Sequence, residues 1–538
     1  MKTLVSVYDE KNYLYAYEPI FNGESAFDRV CSWINSLSKK NNCGQIESVV
    51  VFASKENEMK IRESVKKLDM TVEVLSGDFS DTKKFLSALA KKTQGYDNVI
   101  HVRSSCPFYD AELTEEIYSL HTKSASEYTF ADGWPEGLAT CVINAETIAI
   151  LSNLAQKEFE QKEIKVTKEV FFDVMKIDIN SFEIETVMAS EDMRMYRLDF
   201  SCHNKEKMLA CKNLFDLIMS KPDSEKDFSA DNLSSKAIFS SAVLRTVPCF
   251  YNIQISALCG GTCACCPYPK AYKEKYGHEL SKAVLENKSC FMSLDKIKDL
   301  ALQMSGLSEQ AVVSFSLWGE ALCHPQIDEC ISSVLKYPGL SVLIETDGNA
   351  LTEEMAQKIA ATVQNCEPRT NGYPAIMWIV SLDAMDENMY LKMHGNGNEN
   401  QLSFNKACQS IEILKKYFSD SVYTQFLRTK INEEQLENFY HSNKNSGMII
   451  QKYDDFAGLL PDNKVTDLSP IIRNPCWHQR RDMTILFDGN VPCCREYILD
   501  GVVGNVFSES LVSVWEKGRD MVYTDKCRSC DEYYTFNF

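Results

Sequence analysis

Phe250-Tyr251-Asn252-Ile253-Gln254-Ile255-Ser256-Ala257-Leu258-Cys259-Gly260-Gly261-Thr262-Cys263-Ala264-Cys265-Cys266-Pro267 is the stretch from which the rest of the 538-residue chain is read. Phe250–Ile255 is a short apolar run of strand type. Just beyond it, Cys259-x3-Cys263-x2-Cys266 gathers three thiols, with Gly260 and Gly261 letting the backbone curl between them. A cubane [4Fe–4S] cluster takes four thiolates, so three leave one iron open to an outside ligand. The competing reading is a zinc site that adds Cys265, since clustered thiolates suit either metal. Adjacent Cys265 and Cys266 would then both have to turn toward one small tetrahedral ion.

Strand and helix patterns alternate on the C-terminal side. Further strands are expected at Val312–Leu317, Val342–Thr346, Ile376–Leu382, Val422–Leu427 and Met448–Lys452. Helices are expected at Leu294–Met304, Ile327–Lys336, Glu353–Thr362, Asn405–Tyr417 and Glu434–Asn443. Six strands with five crossovers fit a partial (β/α)6 barrel of TIM type over residues 246–455. Right-handed crossovers put every strand's C-terminal end on one face.

Cys-x3-Cys-x2-Cys in the loop after a first barrel strand resembles the radical S-adenosylmethionine superfamily. The resemblance implies that Cys259, Cys263 and Cys266 hold a [4Fe–4S] cluster whose open iron takes S-adenosylmethionine. One electron from that cluster then cleaves the cofactor to a 5′-deoxyadenosyl radical. That family often has an aromatic residue just before the third cysteine, whereas this chain has Cys265. The departure weakens an expected contact to adenine and leaves the ligands untouched.

Other strand ends resemble the same family. Trp318-Gly319-Glu320-Ala321 stands where the family has Gly-Gly-Glu-Pro; Glu320 is then implied to meet the cofactor's ammonium and Gly319 to let the backbone approach it, the alternative being an ordinary strand-end turn. Thr346-Asp347-Gly348 is close to Thr-Asn-Gly, which marks Thr346. Ser381-Leu382-Asp383 marks Ser381 for the ribose and Asp383 for the cofactor, Asp383 being equally suited to cap the next helix. Gln425 lies on the fifth strand, and Arg428 at its end is a candidate for the cofactor carboxylate, or else an exposed arginine.

The tail reads Cys476-x12-Gly489-x4-Cys494, then Cys527-x2-Cys530. It resembles the SPASM extension, or the shorter twitch form, of radical S-adenosylmethionine enzymes. The resemblance implies one auxiliary [4Fe–4S] cluster on Cys476, Cys494, Cys527 and Cys530, making two clusters in all, with Cys493 passed over. Asp488-Gly489 reads as a hairpin turn. A zinc ribbon is the alternative.

Residues 1–215 alternate strands, such as Thr3–Tyr8, Val49–Ala53, Thr71–Leu75 and Asn98–Val102, with helices such as Glu56–Leu68 and Thr82–Lys92. That pattern implies a mostly parallel, Rossmann-like sheet. It resembles the nucleotidyltransferase fold, with two departures. Tyr8-Asp9-Glu10-Lys11-Asn12 replaces the Gly-rich phosphate loop, and Ser105-Cys106-Pro107 replaces the magnesium-holding Asp-x-Pro. The domain is therefore expected to be degenerate. Residues 216–245, poor in apolar groups, are expected to be a linker, and 456–538 a small Cys-rich iron–sulfur domain. The whole layout resembles the spiro-SPASM proteins of spirochaetes.

Bulk properties agree with an α/β enzyme. The net charge of −19 and the absence of long basic runs argue against nucleic acid as the main partner. No apolar run is long enough to span a bilayer, and the first residues do not read as an export signal. A cytoplasmic setting is expected, where most of the 21 cysteines stay reduced. Members of the resembled family with such tails often modify peptides, so a peptide or protein substrate is implied, together with a flavodoxin- or ferredoxin-type electron donor. A non-catalytic iron–sulfur or zinc scaffold that binds a partner is the alternative.

Overall fold

The computed structural model describes all residues except 12–14, 161, 269–289, 396–401, 467–474, 498–500, 520–524, 529, 531 and 533–538. The chain divides into two compact units, Met1–Thr246 and Val247–Phe538.

The first unit is a seven-stranded sheet of β1 (Lys2–Tyr8), β2 (Gln45–Ala53), β3 (Thr71–Ser76), β4 (Asn98–Arg103), β5 (Tyr128–Asp132), β6 (Cys141–Asn144) and β7 (Ile184–Met188). Their order is β3-β2-β1-β4-β6-β5-β7, and the pairings are parallel except where β6 meets β4 and β5. β1 is central and wholly buried past Lys2, which accounts for its run of Thr, Leu and Val. The expected alternation is present.

Residues 216–245 do not form an open linker. Helix Lys205–Met219 runs on into them, and helices Ala230–Ala237 and Ser241–Leu244 follow within the first unit. The i, i+3, i+7 spacing of Ala230, Leu233 and Ala237 buries one helical stripe despite the polar composition.

The second unit carries β8 (Phe250–Ile253), β9 (Ala311–Ser314), β10 (Leu340–Thr346), β11 (Ile376–Ser381), β12 (Val422–Arg428) and β13 (Met448–Lys452) in consecutive parallel order. Helices Leu294–Ser308, Ile327–Leu335, Glu353–Asn365, Phe404–Phe418 and Leu436–Asn443 intervene. Trp378 and Tyr251 are fully buried in the core between sheet and helices. The crossover after β11 holds an additional helix, Glu387–His394, N-capped by Asp386, whose side chain accepts from Met389 N.

The tail contributes to the same sheet. β14 (Asp482–Ile485) pairs in parallel with β8, Met483 opposite Tyr251, and makes the sheet seven-stranded. Beyond it the Asp488-Gly489 turn forms as expected, with Leu486 N donating to Asn490 O at 2.8 Å and Gly489 at φ 84°. β15 (Asn490–Pro492) then pairs antiparallel with β16 (Val502–Asn505) rather than with β14.

Candidate metal and cofactor centre

The C-terminal ends of the barrel strands surround one cavity of about 680 Å³. Cys259, Cys263, Cys265 and Cys266 all line it, from the loop that follows β8. The backbone shapes this loop from outside. Thr262 N donates to His394 O at 3.0 Å and Ala264 N to Met393 O at 2.8 Å. Gly261 N reaches the Cys259 sulfur at 3.4 Å. Burial pushes the Cys266 thiol up to about 12, and Cys259 is also raised, by burial and then by Asp347. Several half-buried thiols on one cavity form a donor set suited to a soft metal.

Glu320 lies on the same cavity and is 5% exposed. One carboxylate oxygen accepts from Leu322 N at 3.0 Å and from the Thr346 hydroxyl at 2.8 Å, and the other from Asp347 N at 3.2 Å. Burial, then the Asp347 carboxylate, pushes its pKa up to about 8, against those donors. A buried carboxylate with a second carboxylate beside it has too much negative charge for its site and suits a cationic group. Gly319 has φ 99°, and a Cβ there would stand 2.0 Å from Ser256 O. Glycine is obligatory because this turn lies directly against the cysteine loop, where Glu320 N donates to Leu258 O at 2.5 Å.

Thr346, Ser381 and Asp383 also line the cavity, as expected of strand-end residues. Gln425 Nε2 donates to the Ser381 hydroxyl and to Glu345, each at 3.2 Å. Asp383 does not cap the next helix; that role belongs to Asp386. Asp383 takes φ 55° and accepts from Leu427 N at 2.6 Å. Its other oxygen lies 3.3 Å from His394 Nε2, and His394 Nδ1 lies 3.6 Å from the Cys263 sulfur. Burial lowers the His394 pKa, but Asp383 outweighs this and holds it above its ordinary value.

Arg428 departs from expectation. Its guanidinium forms a two-pronged pair with Glu433 at 2.8 and 2.6 Å, half-exposed, and it does not line the cavity. An acceptor five residues ahead in the following turn satisfies it locally.

Sequence reasoning missed His394, Asp347 and the far wall of the cavity, where Lys452, Asp454, Phe456 and Arg495 stand. The signals were faint: an acid beside a Thr, a His ending an unread helix, and an Arg directly after a cysteine. Asp454 of that wall lies buried together with Glu496 and Glu532, with Arg495 Nε 3.0 Å from Glu496, Arg495 Nη2 3.2 Å from Glu532, and Lys452 2.5 Å from Glu532.

A second thiol group occupies the tail. Cys476 and Cys527 are buried against each other, with Cys493, Cys494 and Cys530 packed on them. Burial raises Cys476 to about 11, and Cys494 is raised by burial, then by Glu496, with Cys476 and Cys530 also near enough to add to it. Cys494 thus faces two of its expected partners. Cys493 N pairs with Gly501 O in the β15–β16 ribbon, while its side chain packs against the same group of thiols.

In the first unit Asp9 occupies the position from which a phosphate loop would start. It accepts from the Tyr17 hydroxyl at 2.5 Å, from Ser54 N at 3.0 Å and from the Ser54 hydroxyl at 2.7 Å. These bonds join the ends of β1 and β2 with a carboxylate, which repels phosphate.

Residues 476–531 match the SPASM iron–sulfur cluster-binding domain. The tail of the chain thus carries an iron–sulfur cluster-binding domain, and the cysteine loop stands at the end of the first barrel strand of the same unit.

An uncharacterized protein of Treponema pallidum is 34% identical over 378 residues, covering 68% of this chain and 98% of that protein. Among solved structures, the chain is similar to Streptococcus suis SuiB bound to precursor peptide SuiA (12% identity, 72% of this chain and 84% of that one, TM-score 0.40). It is also similar to a cytidylyltransferase from Leptospira borgpetersenii (16% identity, 44% and 92%, TM-score 0.34). No helix among the described residues is long and apolar enough to cross a membrane.

Proposed function

We propose that this chain reductively cleaves S-adenosylmethionine at a [4Fe–4S] cluster held by Cys259, Cys263 and Cys266, and abstracts hydrogen from a peptide or protein substrate. The observation that carries the reading is the meeting of those three thiols with Glu320 on one cavity at the strand ends. The cluster with its cofactor supplies the radical chemistry when bound. The chain's own residues bind and orient. Glu320, backed by the Thr346 hydroxyl, offers a dry carboxylate to the cofactor's ammonium, a charge-assisted contact. Gly319 brings the backbone in close, and Ser381 offers a hydroxyl to a ribose. Arg428 has no part in the proposal.

Cys476, Cys494, Cys527 and Cys530 are proposed to hold the auxiliary cluster, next to the Arg495 wall of the cavity. The first unit is proposed to have lost nucleotidyl transfer, as the Asp9 network supports. A flavodoxin- or ferredoxin-type protein in the cytoplasm is the proposed reductant.

The test is anaerobic reconstitution with iron and sulfide, then dithionite and S-adenosylmethionine. Formation of 5′-deoxyadenosine is expected. A reduced cluster beside intact cofactor would instead mark a non-catalytic scaffold.

A further inference from the structure

We propose that His394 is a positioning residue for the first cluster, its Nδ1–H donating to the Cys263 thiolate while Asp383 holds the ring from the opposite nitrogen. This rests on the cluster assignment made under the proposed function.

The ring is fixed on three sides. Nδ1 lies 3.6 Å from the Cys263 sulfur, and Nε2 lies 3.3 Å from an Asp383 oxygen. Tyr390 stacks on its face at 4.4 Å between centroids, with the planes 28° apart. His394 is 2% exposed and Asp383 is equally buried, so water does not compete for either contact. Asp383 is itself held by Leu427 N at 2.6 Å, in a backbone conformation (φ 55°) that L residues rarely adopt. Strain of that kind persists only where the surroundings impose it. Here it keeps the carboxylate on the imidazole and away from the helix cap that its sequence position suggests.

A thiolate bound to iron carries no proton and accepts only. The ring nitrogen that faces it, Nδ1, therefore presents its N–H to the sulfur. Hydrogen bonds to cluster sulfurs withdraw electron density from the iron and favour the reduced state. His394 would therefore raise the potential of the cluster that must pass an electron to the cofactor.

Removing the imidazole need not open the cysteine loop. The loop is tied to this segment by backbone bonds from Thr262 N to His394 O and from Ala264 N to Met393 O, which a side-chain change leaves in place. Asparagine places its amide nitrogen about where Nδ1 lies, and glutamine about where Nε2 lies.

The test is an EPR-monitored redox titration of the anaerobically reconstituted full chain, following the signal that changes on adding S-adenosylmethionine. Iron content is measured alongside. His394→Leu should keep its iron and shift that midpoint potential to more negative values, whereas His394→Asn should stay near wild type. An unchanged potential in His394→Leu would overturn the inference, as would an asparagine variant that behaves like the leucine one. Should His394→Leu assemble no cluster, the comparison of His394→Asn with His394→Gln decides. Only asparagine should keep the wild-type potential, and equal potentials would overturn the inference. A wild-type chain with no S-adenosylmethionine-sensitive cluster is a different result, which removes the cluster assignment and this inference with it.

Discussion

The Thr346 hydroxyl donates to Glu320 Oε1 at 2.8 Å, tying the end of β10 to the turn that follows β9. This bond and two backbone donors do not offset the burial of Glu320, whose pKa stands near 8 against an ordinary 4.5. A carboxyl raised on folding favours the folded state below its unfolded pKa, and that advantage is lost as pH rises through the folded value. Glu320→Gln removes the ionisation. In thermal melts of metal-free protein, the variant should gain Tm relative to wild type as pH rises from about 5 to about 9. A Tm difference that is flat across this range would refute the assigned shift.

Iron content separates the two thiol groups. Cys259→Ala/Cys263→Ala/Cys266→Ala should lose about half the iron of anaerobically purified protein, since each cubane holds the same number of iron atoms. Sulfide assays should fall in parallel. Complete loss would mean that the tail thiols hold no cluster of their own.

Gly319→Ala tests how closely the turn after β9 approaches the cysteine loop. The new Cβ would lie 2.0 Å from Ser256 O at a φ of 99°. The expected cost is about 2–4 kcal/mol in denaturant unfolding, with weaker retention of iron. An unchanged midpoint would show that the loop yields without penalty.

Arg428→Ala should be mild. Its pair with Glu433 is half-exposed, and such pairs contribute roughly 0–1 kcal/mol. Affinity for S-adenosylmethionine, followed by calorimetry on the reconstituted chain, should stay within about twofold, or under ~0.5 kcal/mol. A large loss would restore the arginine to the cofactor site.

The Asp9 network predicts that the full chain, supplied with magnesium and a nucleoside triphosphate, releases no pyrophosphate. A magnesium-dependent release that Asp9→Ala abolishes would show the first unit to be active.

The barrel was legible because inner strands such as Leu340–Thr346 and Ile376–Ser381 are buried along nearly their whole length and read as largely apolar runs. Met448–Lys452 has the bounds the pattern assigns it, and Ile376 begins β11 as expected. Polar stretches misled. Lys221–Lys236 looks like a linker by composition, yet three apolar residues on one helical stripe suffice to fold Ala230–Ala237 onto the first unit. The Cys–Gly–Cys spacings announced both thiol groups because metal ligation constrains short-range order. His394 was invisible because its partner Cys263 lies 131 positions away, and nothing local signals a contact of that range. Arg428 misled for the opposite reason: a local partner, Glu433, satisfies it before it can reach the cavity.

β14 takes the outer flank of β8, the strand that delivers the first cysteine loop. A chain stopped at Pro475 would leave Phe250–Ile253 with bare amides and carbonyls along that flank, an invitation to self-association. The tail is thus no detachable accessory. It travels with the barrel as one mechanical body, and deletion experiments would report insolubility before they reported any loss of electron flow.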